Sequence, residues 1–384
     1  MHPAALAALE QRLAQARAAH ALRRRSPRAG TALRPTLDGR PIVNFASNDY
    51  LGLAADPRVV EAYAQGAARY GVGAGAAELV SGHTEAHAEL EAALARFTGR
   101  PRALVLSTGY MANLSVVTTL ASRRSAVIED RLNHASLLDA AVLSRARLVR
   151  YQHLDTDDLA AKLAACPGAL VATDGVFSMD GDVAPLPRLV EVCKAEGGTL
   201  ILDDAHGFGV LGARGRGTTE HFGLAAPDVP IVVGTFGKAF GGAGAFVAAD
   251  EVVIEALMQF ARPYIYTTAL PPALCCAMTV SLRIVEGEPA LRQRLHSNIH
   301  RFRRLALARG VPMAASNTPI QPIILGQNAR VVAVAERLLE MGYWVAAVRP
   351  PTVPAGSARL RVALSAGHTE EEIDGLSDAL AACL

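Results

Sequence analysis

A lysine placed directly after a buried strand is the residue whose chemistry stands out first. Residues 231–234 are apolar or small and predict the end of such a strand, and Lys238 follows among glycines. Burial lowers the pKa of a lysine side chain, and the neutral amine can attack a carbonyl group. The neighbouring Gly237 and Gly241 would let a ligand approach the backbone closely. On these residues alone, a surface lysine in a glycine-rich turn is the alternative.

Polar side chains also follow other predicted strands. Asp203 follows the apolar residues 199–202, and His206 lies three positions later. Because burying an acid without a partner costs free energy, Asp203 predicts a nearby cation: a metal ion, an arginine or a protonated ring nitrogen. His134 follows the strand predicted at 126–129. It would either face a ligand crevice or cap the next helix.

A candidate anion site lies where the strand predicted at 103–106 passes into a helix through Ser107, Thr108 and Gly109. The first amide N–H groups of a helix have no acceptor within it and can bind a phosphate or carboxylate. An ordinary capped helix is the alternative. The glycine-rich residues 71–76 resemble a dinucleotide fingerprint, but they follow a predicted helix rather than a strand, which favours a flexible loop.

The composition limits the classes of protein that the chain can represent. It has 384 residues, of which 51% are apolar and 19% charged, and a net charge of +2. Such a chain can bury a large core. It has neither a basic block typical of nucleic-acid binding nor an apolar stretch long enough to span a membrane, so we expect neither partner. Five cysteines without a regular spacing predict a reducing, cytoplasmic location.

We expect no metal site. His83 and His87 are four residues apart, as in some zinc sites, but their order is His-Thr-Glu-Ala-His and no third ligand is evident. The cysteines do not have the spacing of metal ligands either. A structural role for both histidines is therefore expected.

Strands and helices alternate regularly through the middle of the sequence. This rhythm predicts an α/β fold with a mostly parallel central sheet and helices on both faces. Residues 1–25 predict a helix ending in the basic run 23–25, and residues 283–310 predict a long helix. A compact α+β region follows, with strands at 320–325, 343–348 and 359–364 and helices at 330–341 and 369–384. We expect an N-terminal helix and connector at 1–46, a large domain at 47–283 and a small domain at 284–384.

The carboxyl ends of parallel strands meet at one edge of a sheet, where ligands bind. Residues at or just after these strand ends would therefore lie together, namely Gly109, His134, Ser178, Asp203, His206, Thr235 and Lys238. They offer an anion site, an acid, imidazoles and an amine. Pyridoxal 5′-phosphate (PLP) needs this set: a lysine for a Schiff base, a carboxylate for the ring nitrogen and dipoles for the phosphate.

The ordered motifs resemble the α-oxoamine synthases, a PLP-dependent family with the aspartate aminotransferase-like fold (fold type I). The resemblance extends from residue 21 to the last helix. It is carried by SNDYLGL (47–53), STGYMAN (107–113), LNHASLLDA (132–140), VFSMDGD (176–182), DDAHGFGVLG (203–212), TFGKAFG (235–241) and VRPPTVPAGSARLRV (348–362). It implies a PLP-dependent transferase fold, PLP binding by the domain at 47–283, a smaller C-terminal α+β domain and a homodimer with active sites at the subunit interface.

The resemblance implies a role for each residue of the predicted cofactor site. Lys238 would form the Schiff base, Asp203 would pair with the ring nitrogen and His134 would stack on the ring face. His206 and Ser178 would lie near the phenolic oxygen. Except for Ser178, these residues would also take part in catalysis. The phosphate would be held by a separate group, namely Gly109, Tyr110 and Thr235, with Thr267 or Thr268 reaching it from the second subunit.

The family joins an amino acid to an acyl thioester with loss of CO2, which implies further substrate-binding residues. Asn48 would lie in the active site, and Arg361 would hold the carboxylate of the amino acid. Arg23 and Thr352 would lie towards the acyl substrate. The segment at 348–362 favours the member of the family that uses L-alanine and a pimeloyl thioester, with either CoA or an acyl carrier protein as the carrier.

Three alternatives remain open from the sequence. They are a sister synthase that condenses glycine with acetyl- or succinyl-CoA, a PLP aminotransferase of the same fold, and a binding protein without catalysis. One segment also departs from the family pattern. Many relatives have a Gly-Ser-Arg-like run where this chain has Ala76, Ala77 and Glu78. The contacts of that loop are therefore not carried over.

Overall fold

The computed structural model describes residues 2–23 and 25–384. Arg24, the middle residue of the predicted basic run, lies outside the described residues. The helices are α1 (Pro3–Ala18), α2 (Pro57–Tyr70), α3 (Glu85–Thr98), α4 (Gly109–Leu120), α5 (Ala135–Ser144), α6 (Thr156–Ala164), α7 (Leu186–Glu196), α8 (Thr218–His221), α9 (Glu251–Phe260), α10 (Arg262–Ile265), α11 (Pro272–Gly287), α12 (Pro289–Ala308), α13 (Asn328–Glu340) and α14 (Glu370–Cys383). A 3-10 turn at Leu53–Ala55 and a π-helical turn at Glu78–Gly82 accompany them.

The strands are short, as is usual for a sheet covered by helices. They are β1 (Ala29–Gly30), β2 (Pro35–Leu37), β3 (Arg40–Pro41), β4 (Val43–Asn44), β5 (Arg102–Leu106), β6 (Ala126–Asp130), β7 (Arg147–Tyr151), β8 (Leu170–Asp174), β9 (Thr199–Asp203), β10 (Ile231–Thr235), β11 (Ala245–Ala249), β12 (Ile320–Gly326), β13 (Tyr343–Trp344), β14 (Ala346–Val348) and β15 (Ala358–Ala363).

The described chain divides into two compact units. One contains residues 49–178 and 182–293 and is called the central unit here. The other, the terminal unit, contains the described residues up to 48 together with 179–181 and 294–384. The division at 1–46, 47–283 and 284–384 expected from the sequence stays a prediction.

A seven-stranded sheet runs through the central unit in the order β5-β11-β10-β9-β8-β6-β7. The neighbouring strands from β10 to β7 are parallel, whereas β11 is antiparallel to both β10 and β5. The predicted mostly parallel α/β sheet is therefore confirmed. Helix-covered parallel strands have both faces buried, which explains why β8 and β10 are continuous runs of buried or nearly buried residues.

Alternate residues of these strands form one face of the main core. Val233 and Val247 pack in a buried cluster with Val116 of α4, Leu137 of α5 and Ile254 of α9. Since successive strand residues point to opposite faces, this cluster fixes the register of the sheet. It thereby fixes which strand-end residues face the carboxyl edge.

The terminal unit contains a second sheet in the order β12-β15-β14, with antiparallel neighbours. Arg361 lies on the middle strand, β15, opposite Pro322 of β12 and Ala346 of β14. The strand's central place explains why only 5% of this arginine is exposed. In the same unit β4 pairs in parallel with β13, and β1, β2 and β3 form a small sheet of their own.

The predicted helix at the N-terminus is wrong in length. Helix α1 ends at Ala18 rather than at residue 25. His20, two residues later, has a φ of 53°, a left-handed conformation that a helix does not allow. Residues 21–23 are not helical.

Two C-terminal elements also differ from their predictions. The long helix expected at 283–310 is interrupted at Glu288, between α11 and α12. Pro289 begins the second helix because proline lacks the N–H that would continue the first one. The strand expected at 343–348 is broken at Val345: β13 pairs with β4, whereas β14 pairs with β15.

Gly66 tests the close packing of α2 on α11. A Cβ atom at this position would lie 2.7 Å from the Cα atom of Ala273 and 3.2 Å from the Sγ atom of Cys276. We expect Gly66→Ala to lower the free energy of unfolding by about 1–3 kcal/mol through overpacking. The measurement is urea denaturation followed by circular dichroism.

Gly287 is the matched control because it is also helical and a Cβ there would meet nothing within 4 Å. Gly287→Ala should be neutral or stabilising by up to about 1 kcal/mol. Equal losses of stability in the two variants would contradict the packing argument.

Candidate active site

A cavity of about 200 Å³ lies at the carboxyl edge of the central sheet. Its lining contains all eight residues predicted for the cofactor site, namely Gly109, Tyr110, His134, Ser178, Asp203, His206, Thr235 and Lys238. Ser136, Asp174, Val176, Ala205 and Gly237 complete the lining. Within a single chain, the strand-end residues therefore do converge. Thr267 and Thr268 are not among these lining residues, and their contact from a second subunit stays a prediction.

Lys238 is carried by a tight loop between β10 and β11. The carbonyl of Lys238 accepts a hydrogen bond from the amide of Gly241 at 2.9 Å, and the amide of Phe236 donates to Gly244 at 2.9 Å. Gly241 has a φ of 72°, and a Cβ atom there would lie 2.3 Å from the amide nitrogen of Ala54. The glycine requirement is therefore steric at this position. The loop holds the half-buried Lys238 side chain at the cavity wall.

Asp203 is fixed by neutral donors. The side-chain amide of Asn113 donates to its Oδ2 at 2.6 Å, and the backbone amide of Ala205 donates to its Oδ1 at 3.0 Å. Among the described lysines and arginines, none lies within 4 Å of this carboxylate in an ion pair. Asp203 therefore has no arginine partner among the described residues, although the sequence left that possibility open. Both oxygens have a donor, and the 7% exposed group faces the cavity.

His134 both caps a helix and lines the cavity, so the two roles left open by the sequence coexist. Its Nδ1 atom accepts from the backbone amide of Ser136 at 3.3 Å and lies 2.7 Å from the Ser136 hydroxyl. That hydroxyl in turn accepts from Asn113 at 2.8 Å and therefore donates to Nδ1. Burial lowers the pKa of His134, and the neighbouring Asp203 offsets only part of this effect. A neutral ring with its proton on Nε2 is the result.

Asp174 is a cavity residue that the sequence reasoning missed. The mostly apolar residues 169–173 predict a strand, whereas β8 continues to Asp174, which is the register partner of Asp203 on β9. Its Oδ2 accepts from the backbone amide of His134 at 3.1 Å, but its Oδ1 is buried without a partner among the described residues. Burial first, and the Asp203 charge next, raise the pKa of Asp174 well above its usual range. The sequence signal that could have identified Asp174 is an acidic residue at the end of an apolar strand.

The adjacent Asp204 has a different role from Asp203. It is fully buried and accepts hydrogen bonds from the backbone amide of Thr218 at 2.6 Å and from the Thr218 hydroxyl. Burial raises the pKa of this carboxyl to about 7. It does not line the cavity. Of the two consecutive acids, only Asp203 is available to a ligand.

His206 is positioned by Tyr50, which the sequence analysis did not single out. The Tyr50 hydroxyl lies 2.7 Å from Nδ1 of His206, and the tyrosine is fully buried. This contact joins the SNDYLGL motif to the DDAHG motif inside the central unit. It leaves Nε2 of His206 as the ring nitrogen that is not engaged by Tyr50.

The predicted anion site lies at the amino end of α4, and it stays a prediction. The side chain of Thr108 caps the helix by accepting from the amide of Met111 at 3.1 Å. Gly109 and Tyr110 are the first two helical residues, so their amides have no acceptor within the helix. The Thr235 hydroxyl lies near this end, since a Cβ on Gly109 would be 3.8 Å from the Thr235 Cβ. The helix is therefore capped and still offers donors to an anion.

His153 holds the segment that carries Ser178. Its Nδ1 lies 2.9 Å from Asp130 and its Nε2 lies 2.7 Å from Asp182. Burial alone would lower the pKa of His153, but the hydrogen bonds to these two carboxylates raise it to about 10. The amide of Phe177 donates to the carbonyl of Asp182 at 3.0 Å. The cationic ring thus anchors the loop on which Ser178 reaches the cavity.

Glu78, the last residue of the segment that departs from the family pattern, is buried next to two histidines. The buried Glu78 accepts a hydrogen bond from His83 at 2.9 Å, and this bond raises the pKa of His83. His87 donates from Nε2 to the carbonyl of Leu270 at 2.9 Å, and burial lowers its pKa. Both histidines therefore have structural contacts, as expected. Across the described residues no group of three or more potential metal ligands occurs.

The predicted substrate residues of the terminal unit form two pairs. Arg361 donates to the side-chain oxygen of Asn48 at 3.1 Å. Arg23 donates to the hydroxyl of Thr352 at 3.4 Å, although the two residues are 329 positions apart. Each pair joins residues that the sequence analysis assigned to substrate binding.

Comparison with known proteins finds relatives over almost the whole length. Residues 40–380 match the family model of class I and II aminotransferases. The chain is 58% identical over 350 residues to the 8-amino-7-oxononanoate synthase of Methylococcus capsulatus, which covers 91% of this chain and 90% of that protein. None of the helices in the described part of the chain is long and apolar enough to cross a membrane.

Solved structures agree with the sequence comparison. The serine palmitoyltransferase of S. paucimobilis, solved with a bound PLP–myriocin aldimine, has a TM-score of 0.92 and 32% identity, over 99% of this chain and 96% of that one. The 8-amino-7-oxononanoate synthase of Francisella tularensis has a TM-score of 0.78 and 34% identity, over 89% of this chain and 97% of that one.

His153→Gln tests the ionic anchor of the Ser178 loop. The folded-state pKa of about 10 lies above the unfolded value of 6.5, so the stabilisation is complete below about pH 6.5 and is lost as the pH rises through 10. We therefore expect the variant to melt at a lower temperature than the parent at pH 6.5, and the difference to shrink towards pH 10.

The exposed His221 provides the control, since it forms no ion pair within the described chain. His221→Gln should leave the melting temperature unchanged at both pH values. A His153→Gln difference that stays constant from pH 6.5 to 10 would mean that the charge of the ring is not what anchors the loop.

Proposed function

Since the chain belongs to the family of class I and II aminotransferases, we propose that it catalyses the reaction of its 8-amino-7-oxononanoate synthase relatives. L-Alanine and a pimeloyl thioester are joined, and 8-amino-7-oxononanoate, CO2 and the free thiol are released in a step of biotin biosynthesis. The observation that carries this proposal is the 58% identity over 91% of the chain to one such enzyme. The predicted resemblance to the PLP-dependent synthases and their fold is confirmed by these comparisons.

The cavity fits PLP by the chemistry of its donors and acceptors. Asp203 is a buried carboxylate fixed only by neutral donors and without an ion-pair partner among the described lysines and arginines, as an acceptor for a protonated ring nitrogen should be. Asp174 adds a buried oxygen without a described partner at the same wall. The first amides of α4 and the Thr235 hydroxyl suit the phosphate, and Lys238 supplies the amine.

When bound, PLP supplies an aldehyde for the lysine amine and a ring that accepts the electron pair released from the substrate carbon. We assign to Asp203 the task of keeping a proton on the ring nitrogen. Asn113 and Ala205 hold the Asp203 carboxylate in position, so this group does not have to reorient during the reaction. His206 and Ser178 bind the phenolic oxygen, with Tyr50 orienting the imidazole.

We assign to Lys238 the role of the base that takes the α-proton of alanine, because its side chain lines the cavity. His134 has a different task. Its Nδ1 accepts from Ser136, which leaves the proton on Nε2, and this N–H donates to the thioester oxygen as negative charge develops there. The low pKa of the buried ring favours a neutral donor over an imidazolium.

We assign the remaining substrate contacts to residues of the terminal unit. Arg361 binds the carboxylate of alanine, and the hydrogen bond to Asn48 fixes the guanidinium for a bidentate contact. Arg23 and Thr352, which contact each other, bind the acyl donor. A homodimer, with Thr267 or Thr268 completing the phosphate site of its partner, is part of the proposal, as is a cytoplasmic location.

The reaction is tested by the mass of the product. The purified protein should convert L-alanine and pimeloyl-CoA or the pimeloyl carrier protein to 8-amino-7-oxononanoate, with one CO2 released per product. Glycine in place of alanine, or acetyl-CoA in place of the pimeloyl donor, should react at least tenfold more slowly. A preference for glycine and a short acyl-CoA would instead identify a sister synthase, and transamination of a 2-oxo acid without CO2 release would identify an aminotransferase.

Lys238 can be tested with unusual clarity because the sequence contains only three lysines, at 162, 194 and 238. Borohydride reduction of the PLP-loaded protein should attach the label to Lys238 alone. Lys238→Ala should lose the label and the visible absorbance of the loaded protein.

The other two lysines are ready-made controls, because each is held in an ion pair, Lys162 with Asp158 and Lys194 with Asp228. Lys162→Ala and Lys194→Ala should keep both label and absorbance. Label at either of these positions in the native protein would refute the assignment of Lys238.

A further inference from the structure

A groove in the terminal unit is not explained by the cofactor cavity. Its volume is about 510 Å³, and it lies among α1, α13, β13 and β14. Val332 and Leu339 of α13 and Trp344 of β13 provide an apolar wall. Arg17 at the end of α1 and Arg349 just after β14 contribute two cations. The remaining lining consists of His20, Leu22, Ala335, Glu336, Val345, Ala346 and Ala347.

The two cations of the groove form no ion pair with an acid among the described residues. Arg349 is half-buried, and its Nη1 donates to the backbone carbonyl of His20 at 3.0 Å. Neither Arg349 nor Arg17 forms an ion pair with an acid of the described chain, although the exposed Glu336 lies on the same groove. Burial, and then the charge of Arg23, lower the pKa of Arg349, so Arg23 is close enough to add to the positive potential. Uncompensated like charges at one groove attract an anion.

The chemistry of the groove therefore calls for an anion joined to an apolar chain that also carries polar groups. The acyl donor of the proposed reaction has such a part. A phosphopantetheine arm consists of a phosphate, a branched apolar segment and two amides that end at the sulfur. Val332, Leu339 and Trp344 suit the branched segment, and the Glu336 carboxylate can accept from an amide N–H.

We propose that this groove binds the phosphopantetheine arm of the acyl donor, with the phosphate at Arg17 and Arg349. Arg23 joins this site to the acyl-binding residues, because it contacts Thr352 and adds its charge to that of Arg349. The inference rests on the proposed function, which supplies the thioester. CoA and an acyl carrier protein share the arm, so both donors use the groove.

Trp344 is the only tryptophan of the sequence and reports on the groove directly. Titration of the full-length, PLP-loaded protein with 4′-phosphopantetheine should change its fluorescence. The double variant Arg17→Gln/Arg349→Gln should raise the dissociation constant about tenfold, as expected for the loss of charge-assisted contacts. Arg330→Gln is the matched control: Arg330 is an exposed arginine of α13 that also donates to a backbone carbonyl, but it does not line the groove. It should leave the titration unchanged.

Kinetics with three donors then separate the parts of the thioester. For the double variant, the KM for pimeloyl-CoA and for the pimeloyl carrier protein should rise about tenfold with kcat unchanged. The KM for pimeloyl-N-acetylcysteamine, which has the thioester but no phosphate, should stay within twofold.

Several results would overturn the proposal. One is an equal rise in KM for all three donors, and another is no change in KM for any of them. A third is a rise in KM confined to the CoA donor, which would assign the cations to the nucleotide phosphates. A change in the oligomeric state of the double variant would make the groove an interface between copies of the chain. If the parent protein converts none of the donors, the proposed function fails, whereas the phosphopantetheine titration still reports on the groove.

Discussion

Two carboxyl groups side by side at the buried edge of a sheet are the constraint around which the site is arranged. Asp174 and Asp203 are register partners on neighbouring parallel strands, so the backbone ladder itself holds them together. Burial raises the pKa of Asp174, and the charge of Asp203 acts in the same direction. Such a pair is stable only with positive charge or hydrogen-bond donors near it. The surroundings provide both, through Lys238 and the amides that bind Asp203.

The residues around this pair follow from the same requirement. Asn113 reaches from α4 to Asp203 and to Ser136, and Ser136 passes the hydrogen bond on to His134. One amide group therefore fixes both an acid and an imidazole that line the cavity. Replacing any member of this chain would leave buried polar atoms unpaired, which explains why small residues of ordinary appearance are part of the site.

Much of this arrangement could be predicted from the sequence, because the rule that polar residues at parallel strand ends converge needs no knowledge of distant contacts. It placed Asp203, His134 and Lys238 at one cavity correctly. It could not find Asp174, since the predicted strand ended one residue too early. Nor could it find Tyr50, whose hydroxyl meets a ring 156 positions away, because no local pattern encodes such a pairing. The break before Pro289 was missed although the sequence contains its signal, since proline at that position ends the preceding helix.

The parallel pairing of β4 with β13 has a consequence for synthesis of the chain. Val43 meets Tyr343, about 300 residues later. At a translation rate of about 5–20 residues per second, the N-terminal strand waits roughly 15–60 s for its partner to leave the ribosome. During that interval its edge is open to other chains. The pairing of β4 with β13 therefore cannot form until residue 343 has left the ribosome, by which time all residues of the central unit have been synthesised.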